Sequence, residues 1–493
     1  MSNEPWEIPE SWSWTRMGQV SVVIGGSTPS TADSANFENG TVPWITPADL
    51  SGYRDKFIST GKRSITERGL MSSGARMMPA GTVLFSSRAP IGYVAIAANA
   101  LSTNQGFKSF VLDPALFPDY VYYYLQRGKE LALELASGTT FAEISGKSAH
   151  EIPLPLPPLQ EQHRIVAEIE KQFTRLDAAM AALERVRANI KRYRAATLAA
   201  ACEGRLVPTE AELARAEERE YEDADRLLAR LGARSNASQP VNTALRHPYE
   251  LPIGWTWSTP LELCDGSRSI TYGVIKLGDG IPGGVATLRS SDVRSLRLNL
   301  ERVKTIDPAI AANYRRTFLR GGEVLITVRG TLGGVVVAPG SVAGFNVSRE
   351  VAVLPARNAS IAQTLATFIA SPHLQRWIVA NTKGITYRGL NIETLKVLPV
   401  PVPPLAEQHR IVGEVERRLS LADKLDAVAS DALRRGAALR QSILKRAFAG
   451  ELVPQDPNDA PASMLLERIR AERAARASNG ARSKKLIRRK ARA

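Results

Sequence analysis

Large apolar side chains at Ile169, Phe173, Leu176, Met180 and Leu183 follow one another at intervals of four, three, four and three, and Ile190 continues the series one heptad on. This spacing keeps one seam of an α-helix turned toward a partner helix. It predicts a helix from Leu159 to Cys202, 44 residues and about 65 Å long at roughly 1.5 Å per residue. Pro158 suits the first helical position, where a missing N–H costs nothing. Glu161 in the first turn complements the helix dipole, and Gly204 followed by Pro208 is a stop signal. Later in the chain Leu421, Leu425, Val428, Ala432 and Leu439 keep related spacing in a shifted register, with Gly436 interrupting it. This predicts a second, less regular helix. Elsewhere the pattern is of short β runs, "GTVLFSS", "GYVAIAA", "GEVLITVR" and "GGVVVAPG", between Gly/Pro/Ser/Asn turns. Helical stretches follow around "YVYYYLQRGKELALELA" and "IAQTLATFIASPHLQRWIVA".

The pattern occurs twice. "PPLQEQHRIVAEIE" from Pro157 and "PPLAEQHRIVGEVE" from Pro403 agree at eleven of fourteen positions, 246 residues apart. "IPESWSW" from Ile8 answers to "LPIGWTW" from Leu251, and "GTTFAEIS" from Gly138 to "GITYRGLN" from Gly384. "GTVLFSSRAPIGYV" from Gly81 answers to "GEVLITVRGTLGGVV" from Gly322, which pairs Arg88 with Arg329. "EGRLVP" from Glu203 matches "AGELVP" from Ala449. The offset wanders between 241 and 243 upstream of Gly138 and holds at 246 from there to Pro208. Loops of a domain tolerate insertions, whereas an insertion in a helix rotates everything after it. Two copies of one unit, each a variable α+β domain followed by a long helix, are expected. An amphipathic helix this long needs a partner for its apolar stripe, and pairing with the other copy predicts antiparallel helices.

The 493 residues exceed what one core holds. No apolar run is long enough to span a bilayer, and the opening "MSNEPWEIPE" lacks the features of a secretory signal. A cytoplasmic location is expected. Two cysteines in dissimilar contexts argue against a disulfide framework. The net charge of +15 points to a polyanionic partner. The charge is uneven, because Met464 to Ala493 alone carries eleven basic residues against two acidic ones. Such an arm holds phosphate backbones without reading sequence, or serves as a solvated end.

Catalytic signals are missing. "EISGKS" lacks the first glycine of a phosphate loop, and "GDGIPG" from Gly278 places Pro282 where a helix should begin, so it reads as a loop. The five histidines show no metal-ligand spacing, and no methyltransferase or nuclease signature is present.

Two variable domains, each followed by a long helix opening on "PPLxEQHRIV" and closing at "G-x-LVP", resemble the specificity subunit of Type I restriction-modification systems over essentially the whole chain. The resemblance implies an α+β fold: two tandem target-recognition domains separated by a long antiparallel two-helix coiled coil, as a pseudo-two-fold internal repeat. The expected parts are recognition domains at 1–157 and 249–403 and spacer helices at 158–206 and 404–452. A charged helical segment and linker at 207–248 and a basic tail at 453–493 complete the chain. By the same resemblance the chain is a non-catalytic subunit that binds a bipartite, asymmetric double-stranded DNA site. It directs two methyltransferase subunits and the restriction subunits to that site. S-adenosylmethionine, ATP and Mg are implied for those partners, with no cofactor or metal in this chain. The DNA-contact candidates are Arg54, Lys56, Lys62, Arg63, Arg68 and Arg88 in the first copy, and Arg289, Arg294, Arg297, Arg315, Arg316, Arg329 and Arg388 in the second. The partner-interface candidates are Glu161, Gln162, His163, Arg164, Glu407, Gln408, His409 and Arg410, with capping or packing at the helix start as their other reading. The runner-up function is a two-headed DNA-binding scaffold or regulator unconnected with restriction.

Overall fold

The first long helix runs from Leu159 to Cys202 and the second from Leu405 to Phe448, each 44 residues. The structure is a computed structural model that describes residues 5–88, 90–127, 143–233, 249–382 and 389–475. Both helices end the same way. Gly204 and Gly450 take positive φ, at 68° and 76°. Arg205 N–H then reaches the Ala200 carbonyl at 2.8 Å, and Glu451 N–H the Arg446 carbonyl at 2.9 Å. This is a Schellman stop, which requires a residue that tolerates the left-handed region. At the other end Pro158 stands just before the first helical residue rather than at it: its carbonyl accepts the Gln162 N–H at 3.0 Å.

The chain divides into two compact units, one formed by Met1–Leu183 with Asp431–Ala493 and the other by Glu184–Ser430. Each contains one head and a stretch of both long helices. In the first unit a five-stranded sheet has the order Ser21–Gly25, Lys108–Leu112, Val83–Phe85, Val94–Ala97, Phe57–Ile58. A three-stranded sheet places Val42–Ile45 between Arg63–Ile65, antiparallel, and Ser102–Thr103, parallel. The second unit repeats this plan. Val285–Leu288 lies between antiparallel Lys304–Ile306 and parallel Asn346–Val347. The hairpin Val324–Thr327/Val335–Val337 answers to Val83–Phe85/Val94–Ala97. Each head also pairs its first strand with the segment just ahead of its long helix, Ser13–Arg16 with Pro153–Leu156 and Thr256–Ser258 with Val400–Val402. The repeat seen in the sequence is a repeat of topology.

In each unit the carboxy-terminal end of one long helix is built into a head. Phe448 is fully buried and meets Tyr120 and Tyr124 edge-on, each ring centroid 5.2 Å away. The Trp6 indole donates to the Phe448 carbonyl at 2.9 Å. In the second unit Cys202 takes the place of Phe448, and the Tyr249 hydroxyl donates to its carbonyl at 2.8 Å. The beginning and end of the described chain therefore meet in the first unit. The segment 462–475, expected as part of a basic tail, is helical, with Ala462, Leu465, Leu466 and Ile469 buried in that unit's core. Residues 476–493 lie outside the described residues.

The helix stretches pack together within each unit and run in opposite directions. In the first, Arg440 pairs with Asp177 and lies over the Phe173 ring at 4.1 Å, and Gly436 faces Met180 and Leu176. In the second, Asp426 pairs with Arg187 at 3.3 Å and Asp423 with Arg194 at 2.7 Å. The seam of the first helix is the expected one, with Ile169, Phe173 and Ile190 buried and Leu176, Met180 and Leu183 half-buried. That of the second is not. Its buried face is Val415, Ala422, Ala429, Gly436 and Ile443, one residue in seven, whereas Leu421, Leu425, Val428 and Leu439 are between 49% and 64% exposed. Gly436 receives the large Met180 and Leu176 of the first helix, so the largest apolar side chains of the second helix do not mark the seam. Gly436 belongs to the interface and does not interrupt the helix.

Candidate nucleic-acid and partner interfaces

The repeated "EQHR" phrase sits where each head joins its long helix. Gln162 accepts the Phe117 N–H at 3.1 Å and donates to the Pro157 carbonyl at 3.1 Å. Gln408 donates to the Pro403 carbonyl at 2.9 Å and accepts the Ser360 hydroxyl at 2.9 Å. Glu161 accepts from the Gln455 amide at 2.8 Å. Glu407 accepts the Glu210 N–H at 2.9 Å and the Trp255 indole N–H at 3.0 Å. Burial pushes both carboxyls up, that of Glu407 to about 7 against its hydrogen bonds and the nearby Arg410. All four side chains are at most 1% exposed. This corrects the expectation that Glu161, Gln162, Glu407 and Gln408 face a partner: they are spent inside the chain, because buried polar groups must find partners there.

The other half of the phrase is more open. Arg164 pairs with Asp459 and Arg410 with Glu210, each at 2.7 Å. His163 is exposed with its ring 4.1 Å from that of Phe117, and His409 is exposed. The outward Leu421, Leu425 and Val428 follow at intervals of four and three on the second helix, and Val186 and Tyr193 are 45% and 42% exposed on the first. Of these, Leu421, Leu425 and Val428 belong to the apolar series expected at the seam of the second helix.

The basic candidates separate by their partners. Lys56 is held by Asp119 and Glu170, Arg68 by Asp33 at 2.7 Å, Arg289 by Asp292 at 3.3 Å, and Arg297 by Asp423. Lys56 and Arg297 tie a head to a long helix. Their charge is answered within the chain. Arg88 faces Glu143 at 4.0 Å. Arg329, its counterpart, is exposed and lies 5.9 Å from the Tyr272 ring, with Gly389 where the first copy has Glu143. Arg54, Lys62, Arg294, Arg315 and Arg316 are exposed and make no ion pair among the described residues, and Arg63 lies over the Phe37 ring at 4.4 Å. Arg63 begins an edge strand of the three-stranded sheet, whereas the others occupy loops, a short hairpin and a single 3₁₀ turn, where side chains are free to meet a ligand. Arg388 lies outside the described residues.

Asp119, Glu170, Arg194 and Asp423, which anchor the heads, escaped the sequence reading. An ion pair between distant elements leaves no local pattern. Trp12 and Trp255 did leave one, in the repeated "IPESWSW" and "LPIGWTW". Among the described residues no group of side chains could hold a metal ion, and no helix is long and apolar enough to cross a membrane.

Known proteins share this arrangement. The chain of an HsdS subunit from Thermoanaerobacter tengcongensis superposes with a TM-score of 0.51 at 19% identity, covering 92% of this chain and all of that one. A chain from a structural study of complex assembly and conformational transition of the type I R-M system gives 0.61 at 21% identity, over 91% of this chain and all of that one. In sequence, the Type I restriction enzyme EcoBI specificity subunit of Escherichia coli is 31% identical over 360 residues, 71% of this chain and 70% of its own length. The StySPI specificity subunit of Salmonella potsdam is 27% identical over 95% of this chain and 96% of its own. The family model for the Type I restriction modification DNA specificity domain matches residues 9–189 and 302–417, each span covering head residues and the start of a long helix. With two heads of one topology, each leading into such a helix, this chain belongs to the Type I restriction-modification DNA specificity family.

Proposed function

We propose that the two heads are target-recognition domains that each read one half of a bipartite double-stranded DNA site, and that the long helices act as an antiparallel two-helix coiled coil setting the unread spacer. The observation that carries this reading is the repetition of one topology with different loop chemistry. Val42–Leu50 and Gly284–Val293 occupy equivalent places, yet "VPWITPADL" and "GVATLRSSDV" share almost no side chains. Equal scaffolds with unequal reading surfaces suit an asymmetric site. In the first head Arg54, Lys62, Arg63 and Arg88 are the candidates for DNA contact, and in the second Arg294, Arg315, Arg316, Arg329 and Arg388. Phosphate contacts position such a head, and contacts to base edges specify the sequence.

The chain itself supplies binding and orientation. Methyl transfer from S-adenosylmethionine and ATP- and Mg-dependent cleavage belong to two methyltransferase subunits and the restriction subunits. The methyltransferase subunits dock on the outward stripe of Leu421, Leu425 and Val428, with His163, Arg164, His409 and Arg410 at the helix starts as further contacts. A DNA-binding scaffold unconnected with restriction is not favoured, since the relatives are restriction enzyme specificity subunits. The test is to express the chain with its methyltransferase and sequence the methylated sites. Two different half-sites at one fixed spacing support the reading, and identical inverted half-sites or scattered methylation contradict it.

A further inference from the structure

Two basic side chains that bulk charge assigns to DNA are turned instead onto the helices that carry the heads. In the first unit Lys56 stands just before Phe57–Ile58, the edge strand of the five-stranded sheet, and its carbonyl accepts the Ile96 N–H at 2.8 Å. Its ammonium reaches Asp119, on the helix Pro118–Arg127, and Glu170, on the first long helix, the latter at 2.6 Å. Lys56 and Asp119 are only 21% and 13% exposed, so the pairing is shielded from salt more than a surface pair is. In the second unit Arg297 opens the second strand of the hairpin Val293–Arg294/Arg297–Leu298 and reaches Asp423 on the second long helix. Asp423 in turn holds Arg194 of the first.

The hairpin of the second unit that carries Arg297 is itself held in a strained form. Leu296, at its tip, has φ 57°, a left-handed conformation that costs a branched side chain energy and persists only where surroundings hold it. The Leu296 N–H donates to the Val335 carbonyl at 2.6 Å, and its side chain packs on the core of that unit. Beside it a groove of about 450 Å³ opens between the hairpin and the helices, lined by Arg194, Leu198, Leu296, Arg297, Val336 and Val415 among others. Across that groove the hairpin reaches the helices through the ion network of Arg297, Asp423 and Arg194.

We propose that Lys56 with Asp119 and Glu170, and Arg297 with Asp423 and Arg194, are positioning clamps that hold each head at a set angle on its helices and thereby determine how strictly spacer length is read. The proposal rests on the bipartite-site reading above. One base pair of extra spacer moves a half-site by about 3.4 Å and turns it by roughly 35° about the DNA axis. A head free to rock can follow that change, and a clamped head cannot.

The experiment uses the full chain assembled with its methyltransferase. After its site has been mapped, binding is measured on duplexes carrying both native half-sites with the spacer changed by one or two base pairs either way. The clamped protein should prefer the native spacer by about tenfold or more, the scale of a single mismatched position. Lys56→Met and Arg297→Gln should each reduce that preference to about threefold, while a changed base in either half-site costs as much as before. The conservative Arg297→Lys, which keeps a cation opposite Asp423 and leaves Arg194 paired, should keep the strict spacer, which a generally loosened fold would not do. Unchanged spacer discrimination in Lys56→Met and Arg297→Gln at wild-type melting temperature would overturn the proposal. So would lost preference at one half-site, because the side chain would then be reading DNA itself. A wild-type complex with no bipartite site would remove the reading beneath the clamps and the clamps with it.

Discussion

The Trp255 indole N–H donates to a Glu407 carboxylate oxygen at 3.0 Å, fastening the residue just ahead of the second head's first strand to the first turn of its long helix. Because the carboxyl is fully buried, it titrates at about 7 instead of near 4.5. Between these two pH values the folded chain keeps a proton that the unfolded chain releases, so Glu407 favours folding most at the acid end. That contribution falls as pH rises toward 7 and is constant above it, a change on the order of 3 kcal/mol at most. Glu161 shifts in the same direction. Urea unfolding of wild type and Glu407→Gln from pH 5 to 8 should show stability declining with pH in the wild type, and a flatter profile in the variant. Parallel profiles would contradict the burial argument.

The glycine in the helix interface gives a size test. A Cβ on Gly436 would lie 3.3 Å from Met180 Cγ and Sδ, tight against a side chain that can move. Alanine also gains about 1 kcal/mol of helix propensity over glycine. Gly436→Ala should therefore leave stability equal or slightly higher. Gly436→Leu should cost roughly 1–3 kcal/mol through overpacking. Thermal unfolding of the two variants separates an interface glycine from a helix breaker.

The outward stripe gives a partner test. Leu421, Leu425 and Val428 are about half exposed or more, so Leu421→Lys with Leu425→Glu should change stability by no more than about 0.5 kcal/mol. The same double variant should lose copurification with the methyltransferase. A destabilised chain, or one that still captures its partner, would show that these residues do something else.

Both long helices, their common length and the two-copy organisation were legible in the sequence, because helix periodicity and repetition are local and cumulative signals. The seam of the second helix was not. Ala422, Ala429 and Gly436 carry little hydrophobic signal and yet are buried, Gly436 against Met180 and Leu176. The larger Leu421 and Leu425, which carry the stronger signal, lie on the exposed face. The basic candidates divided for a related reason. Composition shows that Lys56 and Arg297 are charged, but only the folded chain shows that Glu170 and Asp423 answer them. The "EQHR" phrase was recognisable as repeated, yet its repetition serves first the buried head-to-helix junction.

The extreme end of the chain can be tested by charge alone. Removing Ser483 to Ala493 deletes six basic residues. If they touch phosphate, affinity should fall alike for all DNA sequences, and the slope of log affinity against log salt should lessen by up to about 5. An unchanged slope with an altered preference among sequences would contradict a phosphate-binding role.

If the long helices are the ruler between two reading heads, lengthening them should lengthen the spacer. One heptad inserted after Leu183 and another after Ser430, where each helix passes from one compact unit to the other, preserves the seam register. The insertion adds about 10 Å at roughly 1.5 Å per residue, close to three base pairs at about 3.4 Å each. Sequencing the sites methylated by the assembled variant should return the same two half-sites with the spacer between them longer by about two to four base pairs. New half-site sequences, or full activity at the original spacing, would mean that these helices do not set the distance.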